Sequence, residues 1–598
     1  MTDHFEVTDR DGPARIGELR LTEPVVTPAV VDDADRADRD REPYGVLADA
    51  GSRWPAAREV PDGDSDRLTV LPHRAFPGGT DARVAESFDP EYPDVDYPSA
   101  AVVAEHTAGD RGTDAYVLSE APSVLGHGAA VFETLSSVRE AIPEDTALYC
   151  SGVATPANVA TLAWAGVDLF DPDRAVVAGT RGKYLTTDGE AFLEDLRELP
   201  CACPACQQPV AAFDREDCAA HNVNALVAAV RTVRERIRAG RLRDYLDGQM
   251  RHEAWLTATV REYESQYAHV EARTPVFRDS QITAATEDAM RRVEIQRFAD
   301  RVTTRYRPRF DDRPLVLVPC SAAKPYGDSQ SHGQFRDAIG YRAHKVSMTS
   351  PIGVVPQELE TTYPAQHYDS VVTGDWSAEE YEFVASVLRR YLARADYPRI
   401  VAHVPPNYRP IVERVESDVD APVEYTVDDH PTTDDSLGAL AATLHGEPTY
   451  DKRTREHHTL RAIADYQFGD GAGDDLFDAF GDVQLTGRYP RLQVRDGDGT
   501  QFATMVPQYG LLSFTLAGAA RWADSAAPTK RVEIDGFVPH GSVLAPGVVD
   551  ADADIRPGDE VLIEGPAARA VGRAKTHGAA MVASTRGVAC SVRHVAER

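Results

Sequence analysis

Pro314–His332 reads PLVLVPCSAAKPYGDSQSH. The run LVLVP is apolar at successive positions rather than alternate ones. A strand of that kind is buried on both faces, as in a parallel sheet covered by helices. It predicts an α/β layer in the middle of the chain. Open α/β sheets place reactive groups just past the carboxyl ends of their strands. Cys320 follows that end directly, and Lys324, Tyr326, Ser329 and His332 crowd into the next turns. A cysteine beside a cation or at a helix N-terminus becomes a thiolate nucleophile. Lys324 or His332 is the candidate cation. His332 also suits proton transfer near neutral pH. Tyr326 and Ser329 suit orienting a substrate or stabilising charge that develops on nitrogen. The plain alternative is a cysteine that merely fills a strand end as a small hydrophobe.

Composition bears on this choice. The chain has six lysines (Lys183, Lys324, Lys345, Lys452, Lys530, Lys575) among 63 basic residues. One of the six stands in this loop. A compact ammonium that shifts its pKa is something arginine cannot imitate.

Working outward, YDSVVTG (368–374) and RIVAHVP (399–405) read as further strands, and SAEEYEFVASVLRRYLARA (377–395) as a helix. Residues 347–376 carry His367, Tyr368, Asp369 and Trp376. Bends at SPIG and TYP would bring them over the same sheet edge. His367 and Asp369 join the candidates, with a helix-end cap as the plain reading of His367. Linkers are expected at 305–314 and 427–436. A short helical piece and a β-rich stretch follow the second linker.

Upstream, residues 101–200 alternate short apolar runs with helical patterns, an α/β signature. Residues 13–30 read as short strands and 31–100 as loop. Within it VVDDADRADRDREPYG (30–45) reads as an exposed acidic segment. CACPACQQPVAAFDREDCAAHN (201–222) supplies Cys201, Cys203 and Cys206 on a knuckle, with His221 at the head of a long helix. Three thiolates and an imidazole suit a closed tetrahedral structural Zn²⁺ site. Cys218 is the rival fourth ligand. The last 70 or so residues alternate short strands with Gly turns, as in a small β-barrel. They carry Arg569, Arg573, Lys575, Arg586, Arg593 and His594. Such residues supply phosphate contacts that position RNA without reading its sequence.

Net charge is −33 and pI about 4.9. A diffuse acidic surface poor in lysine suits a very salty cytoplasm, with an ordinary acidic protein as the alternative. Acidity argues mildly against nucleic acid. At ~1 M salt the Debye length is about 3 Å, so only local patches count. No apolar run approaches the ~20 residues of a membrane span. The N-terminus lacks a signal-peptide core, and a cytoplasmic protein is expected.

Several motifs carry a family resemblance. CACPAC…HN, with GVDLFDPDRAVVAGTRGKYLTTDG (166–189) upstream, resembles the zinc site and nucleophile segment of tRNA-guanine transglycosylases, over roughly residues 13–250. By that match Asp171 stands at the nucleophile's position. The family's Asp-Ser-Gly-Gly motif is absent: the corresponding region reads EHTAGDRGTDAYVLSE (105–120). Asp171 is either active or a relic in a retained tRNA-docking barrel. APGV, PGDEV, GRA and RGVACSVRH resemble a PUA domain, which binds structured RNA. The motif Pro319-Cys320, Lys324-Pro325-Tyr326, Ser329, His332 resembles the signature of the archaeosine synthases, archaeal paralogues of the transglycosylases.

The resemblance implies a multidomain α/β protein. Residues 1–300 would form a transglycosylase-like (β/α) barrel with its zinc subdomain. An α/β domain at 301–430 would carry the cysteine motif. A small α+β domain at 431–527 and a PUA barrel at 528–598 would follow. It implies a tRNA-modifying enzyme whose substrate carries 7-cyano-7-deazaguanine in the D-loop. An amine from lysine or glutamine adds to the nitrile on the way to archaeosine. A radical-SAM protein is a candidate partner, and a homodimer a candidate assembly. The rivals are a working transglycosylase and a non-catalytic tRNA-binding subunit.

Overall fold

The computed structural model describes residues 3–49, 62–72, 80–81, 83–84, 92–371 and 375–598. They fall into two units. The first is Met1–Thr274 with Val543–Val548 and Thr576–Ala589; the second is Pro275–Ser542 with Val549–Lys575 and Cys590–Arg598.

In the first unit seven parallel strands close into a barrel: β1 (Ala29–Asp33), β2 (Tyr44–Asp49), β3 (Leu68–Val70), β4 (Ser99–Val103), β5 (Ala115–Leu118), β6 (Ala147–Cys150) and β7 (Leu169–Phe170). β7 pairs with both β6 and β1 to complete the ring. β2 and β3 lie inside the stretch that composition marks as loop, which corrects that expectation. The strands are short, and their buried Val46, Leu68 and Val70 sit among Asp, Arg and Pro. Pairing within a closed ring, not local propensity, makes them strands. Gly45 is required there, because a Cβ would stand 2.1 Å from the Ala37 carbonyl oxygen. Beneath the ring Arg15 Nε donates to buried Asp168 Oδ1 at 2.8 Å.

Helix α1 (Arg215–Arg238) starts at Asp214, whose Oδ1 accepts from Glu216 N at 2.8 Å and Asp217 N at 3.0 Å. Such a cap contributes about 1 kcal/mol. α1 lies so close to Gly179 that a Cβ there would come within 2.3 Å of Ala219 Cα.

The second unit is built on a five-stranded sheet. Its strands are β8 (Leu315–Pro319), β9 (His344–Thr349), β10 (Gly353–Pro356), β11 (Ile400–Ala402) and β12 (Val423–Tyr425), in the order β10-β9-β8-β11-β12. β8 is the centre, parallel to β9 on one side and β11 on the other. As LVLVP predicts, the strand is buried on both faces. Leu315 and Leu317 face one core, Val316 and Val318 a second core with Phe335 and Ile339. Each side chain contributes about 1.5–3 kcal/mol by burial. The chain leaves β8 for β9 and later returns to the opposite side as β11. The order of connection therefore reverses at the carboxyl end of β8.

YDSVVTG does not join this sheet. Tyr368–Ser370 pairs in parallel with Ile282–Ala284, and Val372–Gly374 lie outside the described residues. Periodicity marks a strand but not its partner. The helix α3 (Ala378–Leu392) forms as expected, behind a Ser377–Glu380 capping box. Before it comes α2 (Gln330–Ile339).

A four-stranded antiparallel sheet spans Val483–Phe514. Near the C-terminus Arg531–Ile534, Glu560–Glu564, Ala568–Ala574 and Val588–Glu597 pair side by side. Among the described residues no helix is long and apolar enough to cross a membrane.

Candidate active site and metal centre

Cys320 sits directly past β8, where the connection reverses, the position at which open α/β sheets bind ligands. Its Sγ lies 3.3 Å from Tyr408 Oη. Tyr408 comes from the segment after β11, the neighbouring strand, and its ring packs at 4.6 Å on Trp376. Lys324 Nζ lies 4.0 Å from the centroid of the Tyr368 ring. Burial pulls the Lys324 ammonium below its usual pKa, opposed by the neighbouring Cys320 and Asp369 side chains. Tyr368 Oη is hydrogen-bonded to Tyr326 Oη and to Thr349 Oγ1, the latter at 2.7 Å. These contacts bring Cys320, Lys324, Tyr326, Tyr368 and Asp369 around one sheet edge, with the Tyr408 hydroxyl at the thiol and Trp376 packed on Tyr408.

Ser329 and His332 take other positions. Ser329 Oγ caps α2, accepting from His332 N at 3.2 Å. His332 is fully buried. Its Nε2 donates to the Pro319 carbonyl at 3.0 Å, and its Nδ1 accepts from Lys345 Nζ at 3.0 Å. Burial, reinforced by Lys345, drops its pKa to about 2. The imidazole is therefore neutral at ordinary pH. It is neither the cation nor the neutral-pH proton carrier that the spacing suggests. It ties the loop back to the end of β8 instead. His367 stands apart: its ring packs at 5.6 Å on Tyr363, and its carbonyl accepts from Ile282 N at 2.7 Å.

In the first unit Cys201, Cys203, Cys206 and His221 bring one ligand atom each within 4.8 Å of one another. His221 Nδ1 lies 3.5 Å from Cys203 Sγ and 3.3 Å from Cys206 Sγ. A tetrahedral ion with ~2.3 Å bonds to sulfur sets such atoms about 3.7 Å apart. Nε2–H of His221 donates to the Leu185 carbonyl at 2.9 Å, which leaves Nδ1 as the free lone pair. The Tyr184 ring stacks on the imidazole at 3.7 Å. Asn222 bonds Leu185 N, Ala175 O and Lys183 O, fastening α1 to the hairpin below it. These four residues could hold a metal ion. Cys218 is excluded from the set, because its thiol turns to the Lys183 carbonyl at 3.4 Å.

Four family models match in order along the chain. They are Queuine tRNA-ribosyltransferase at residues 97–254, a domain of unknown function (DUF5591) at 295–444, the patch-forming domain C2 of tRNA-guanine transglycosylase at 458–528, and a PUA domain at 533–596. The chain is similar to an archaeosine synthase of Haloferax volcanii, 62% identical over 599 residues, with 100% of both chains covered. The chain belongs to the archaeosine synthase family. It is also similar to the archaeosine synthase subunit alpha of Methanosarcina acetivorans, 40% identical with 100% of both chains covered. A tRNA-guanine(15) transglycosylase of Methanothermobacter thermautotrophicus is 28% identical, over 72% of this chain and 62% of its own. In this archaeosine synthase family member the Cys320 loop lies in the 295–444 segment, outside the segments matched by the transglycosylase models.

In this archaeosine synthase family member Asp171 lies at the barrel mouth, beside a cavity of about 360 Å³. The residue is only 4% exposed. It already accepts from Tyr149 Oη at 3.0 Å, Gly152 N at 2.8 Å and Asp173 N at 3.0 Å. A carboxylate so engaged is a poor nucleophile. The basic C-terminal residues are largely committed as well. Arg593 forks onto buried Glu560 at 2.7–3.2 Å, Arg569 Nε donates to Glu564 at 2.9 Å, and Arg586 pairs with Asp3 at 2.5 Å. Arg573 lies over the rings of Phe277 and Tyr509 at 4.6 and 4.5 Å. Lys575 and His594 are exposed. Sequence reading missed Tyr408 and Lys345. The signal for Tyr408 was its place just past the next strand of the sheet.

Proposed function

We propose that the protein converts 7-cyano-7-deazaguanine in the D-loop of tRNA toward archaeosine by adding an amine across the nitrile at Cys320. The observation that carries this reading is the thiol at the reversal point of the sheet, with the Tyr408 hydroxyl 3.3 Å from it and the Lys324 ammonium in the same loop. The partly exposed Trp376, packed on Tyr408, suits stacking with a base taken out of its own stack. The Cys320 thiolate forms a C–S bond to the nitrile carbon. The π pair moves to nitrogen, which takes a proton from the Lys324 ammonium, giving a thioimidate. The donor amine then bonds to the same carbon, the C–S bond breaks, and the amine's proton returns to Lys324. The product is an amidine, and both side chains are restored. Tyr326 positions Tyr368, while Ser329 and His332 hold the loop. Asp369 adds negative charge near Lys324, and His367 takes no part.

Cys201, Cys203, Cys206 and His221 would hold a structural Zn²⁺, since three thiolates and an imidazole fit its preference and leave no open position. The barrel and the PUA domain would dock the tRNA, with Lys575 and His594 meeting phosphates. Lysine or glutamine is the donor; a lysine adduct calls for a radical-SAM partner to cleave it. The mass of the nucleoside recovered from 7-cyano-7-deazaguanine tRNA, incubated at high salt with protein and lysine or glutamine, tests the proposal. A donor-dependent mass gain, lost in Cys320→Ala, is expected. No gain with the native protein would refute it. Guanine-containing tRNA that takes up labelled 7-cyano-7-deazaguanine would favour base exchange instead.

A further inference from the structure

Strand β9 lies between β8 and β10, and every one of its residues is buried. Val346 and Met348 face the larger core. The opposite face carries Lys345, Ser347 and Thr349, which are 6%, 0% and 0% exposed. A strand covered on both faces is ordinarily apolar throughout. A buried ammonium is costly unless it is paired and hydrogen-bonded. This polar row needs a reason, and each end of it leads to one of the two reacting groups.

The first end leads from Lys345 to the thiol. Lys345 Nζ is ion-paired with Glu360, which is itself buried. Glu360 packs against the turn in the Cys320 loop, since a Cβ at Gly327 would stand 3.1 Å from Glu360 Oε2. The same Nζ lies 3.0 Å from His332 Nδ1. An ammonium can only donate, so Nδ1 accepts. The proton of the neutral ring is then on Nε2, 3.0 Å from the Pro319 carbonyl, which can only accept. Both partners select the same tautomer. Pro319 precedes Cys320, so the chain Glu360–Lys345–His332 ends on the peptide that carries the thiol.

The second end leads from Thr349 to the ammonium. Thr349 Oγ1 is 2.7 Å from Tyr368 Oη, and Lys324 Nζ lies over the Tyr368 ring at 4.0 Å. Met348 stands opposite Pro319 in the parallel register, which puts Thr349 level with Cys320. Lys345 and Thr349 are four residues apart, about 13 Å along a strand. We infer that Lys345 and Thr349 are positioning residues: a single strand fixes the Cys320 thiol through His332 and the Lys324 ammonium through Tyr368, and so sets the distance between nucleophile and acid. This deepens, and rests on, the reading of Cys320 and Lys324 as the reacting pair. Misplacing reacting groups by ~1 Å costs on the order of a hundredfold in rate.

The test uses two full-length variants. Lys345→Met combined with Glu360→Gln removes both charges of the buried pair together, and Thr349→Val removes a hydroxyl at nearly constant size. kcat and tRNA KM come from the nucleoside-mass assay, run well below the Tm of each variant. Alkylation of Cys320 by iodoacetamide and acetylation of Lys324 by acetic anhydride are followed by peptide mapping, without tRNA. A kcat loss of tenfold or more in each variant, with tRNA KM held, is the expected result. The alkylation rate should change more in the charge-pair variant, and the acetylation rate more in Thr349→Val. A general loosening of the fold does not give that split. Native kcat in both variants would overturn the inference, as would kcat losses with native or equally changed labelling rates. If the labelling rates split as expected but native protein makes no amidine, the positioning stands and the nitrile reading fails. If native protein makes amidine and neither variant changes kcat, the reverse holds.

Discussion

Lys324 Nζ sits 4.0 Å above the ring of Tyr368. That ring is fixed in turn, since its hydroxyl is shared between Tyr326 and Thr349. A cation over a fixed aromatic face gains about 0.5–2 kcal/mol. The ammonium is therefore placed rather than mobile. Lys324→Arg keeps the positive charge but not a proton that transfers at accessible pH, so a kcat loss of about a hundredfold or more is expected, within the usual range for general acid catalysis. Burial also lowers the pKa of Lys324 from 10.5. The ammonium is lost earlier as pH rises, and the alkaline limb of the native kcat profile should fall below that value.

Cys320→Ala should abolish amidine formation while leaving tRNA binding intact, as measured by filter binding beside the mass assay. Native protein quenched with 7-cyano-7-deazaguanine tRNA and no donor should carry a covalent adduct. Tyr408→Phe removes the hydroxyl 3.3 Å from the thiol. A loss of roughly tenfold in kcat is expected, the scale of one hydrogen bond to a charged group.

Asp171→Asn should leave amidine formation within about threefold of native, because the carboxylate is spent on Tyr149, Gly152 and Asp173. The Tm should fall, since an amide NH₂ cannot accept those bonds. A variant with native Tm and no activity would show that the barrel takes part in the chemistry.

Metal analysis should find one zinc per chain. Cys206→Ala should lose it and lower the Tm, because α1 and the hairpin at Lys183–Phe192 meet at those ligands. Cys218→Ala should retain the metal.

His332 gives a pH signature in stability. Its pKa falls from 6.5 unfolded to about 2 folded. Above 6.5 both states are neutral and the full contribution is present. As pH drops below 6.5 the unfolded chain takes a proton that the folded one refuses, costing roughly 1.4 kcal/mol per pH unit. Chemical denaturation between pH 7 and 5 should show a shallower loss in His332→Gln than in native protein. Equal slopes would mean that His332 titrates normally.

How far the sequence could be read differed from element to element. LVLVP disclosed its layer, because burial on two faces leaves a continuous apolar run. The Cys-x-Cys-x-x-Cys and His-Asn pair disclosed its cluster, because thiolates so close have little other use. β2 and β3 stayed hidden, since three to six residues among aspartates carry too little pattern. Tyr368–Ser370 showed as a strand without showing its partner, which lies 86 residues upstream. The role of His332 was hidden for a different reason. Spacing reveals that a histidine is near, but not that Lys345, from another strand, will hold it neutral. The arginines near the C-terminus look like a basic patch until folding supplies Glu560 and Glu564 beside them.

The scarcity of lysine turns the half-buried Lys324 into a reporter. Acylating reagents attack amines in their neutral form. Lys324, its pKa lowered by burial, carries more of that form at mildly alkaline pH than an ordinary lysine. With only six lysines in the chain, brief labelling and peptide mapping read a single amine against a nearly silent arginine surface. Protection of that one amine would register occupancy of the cleft during turnover, with no tag, dye or substitution introduced.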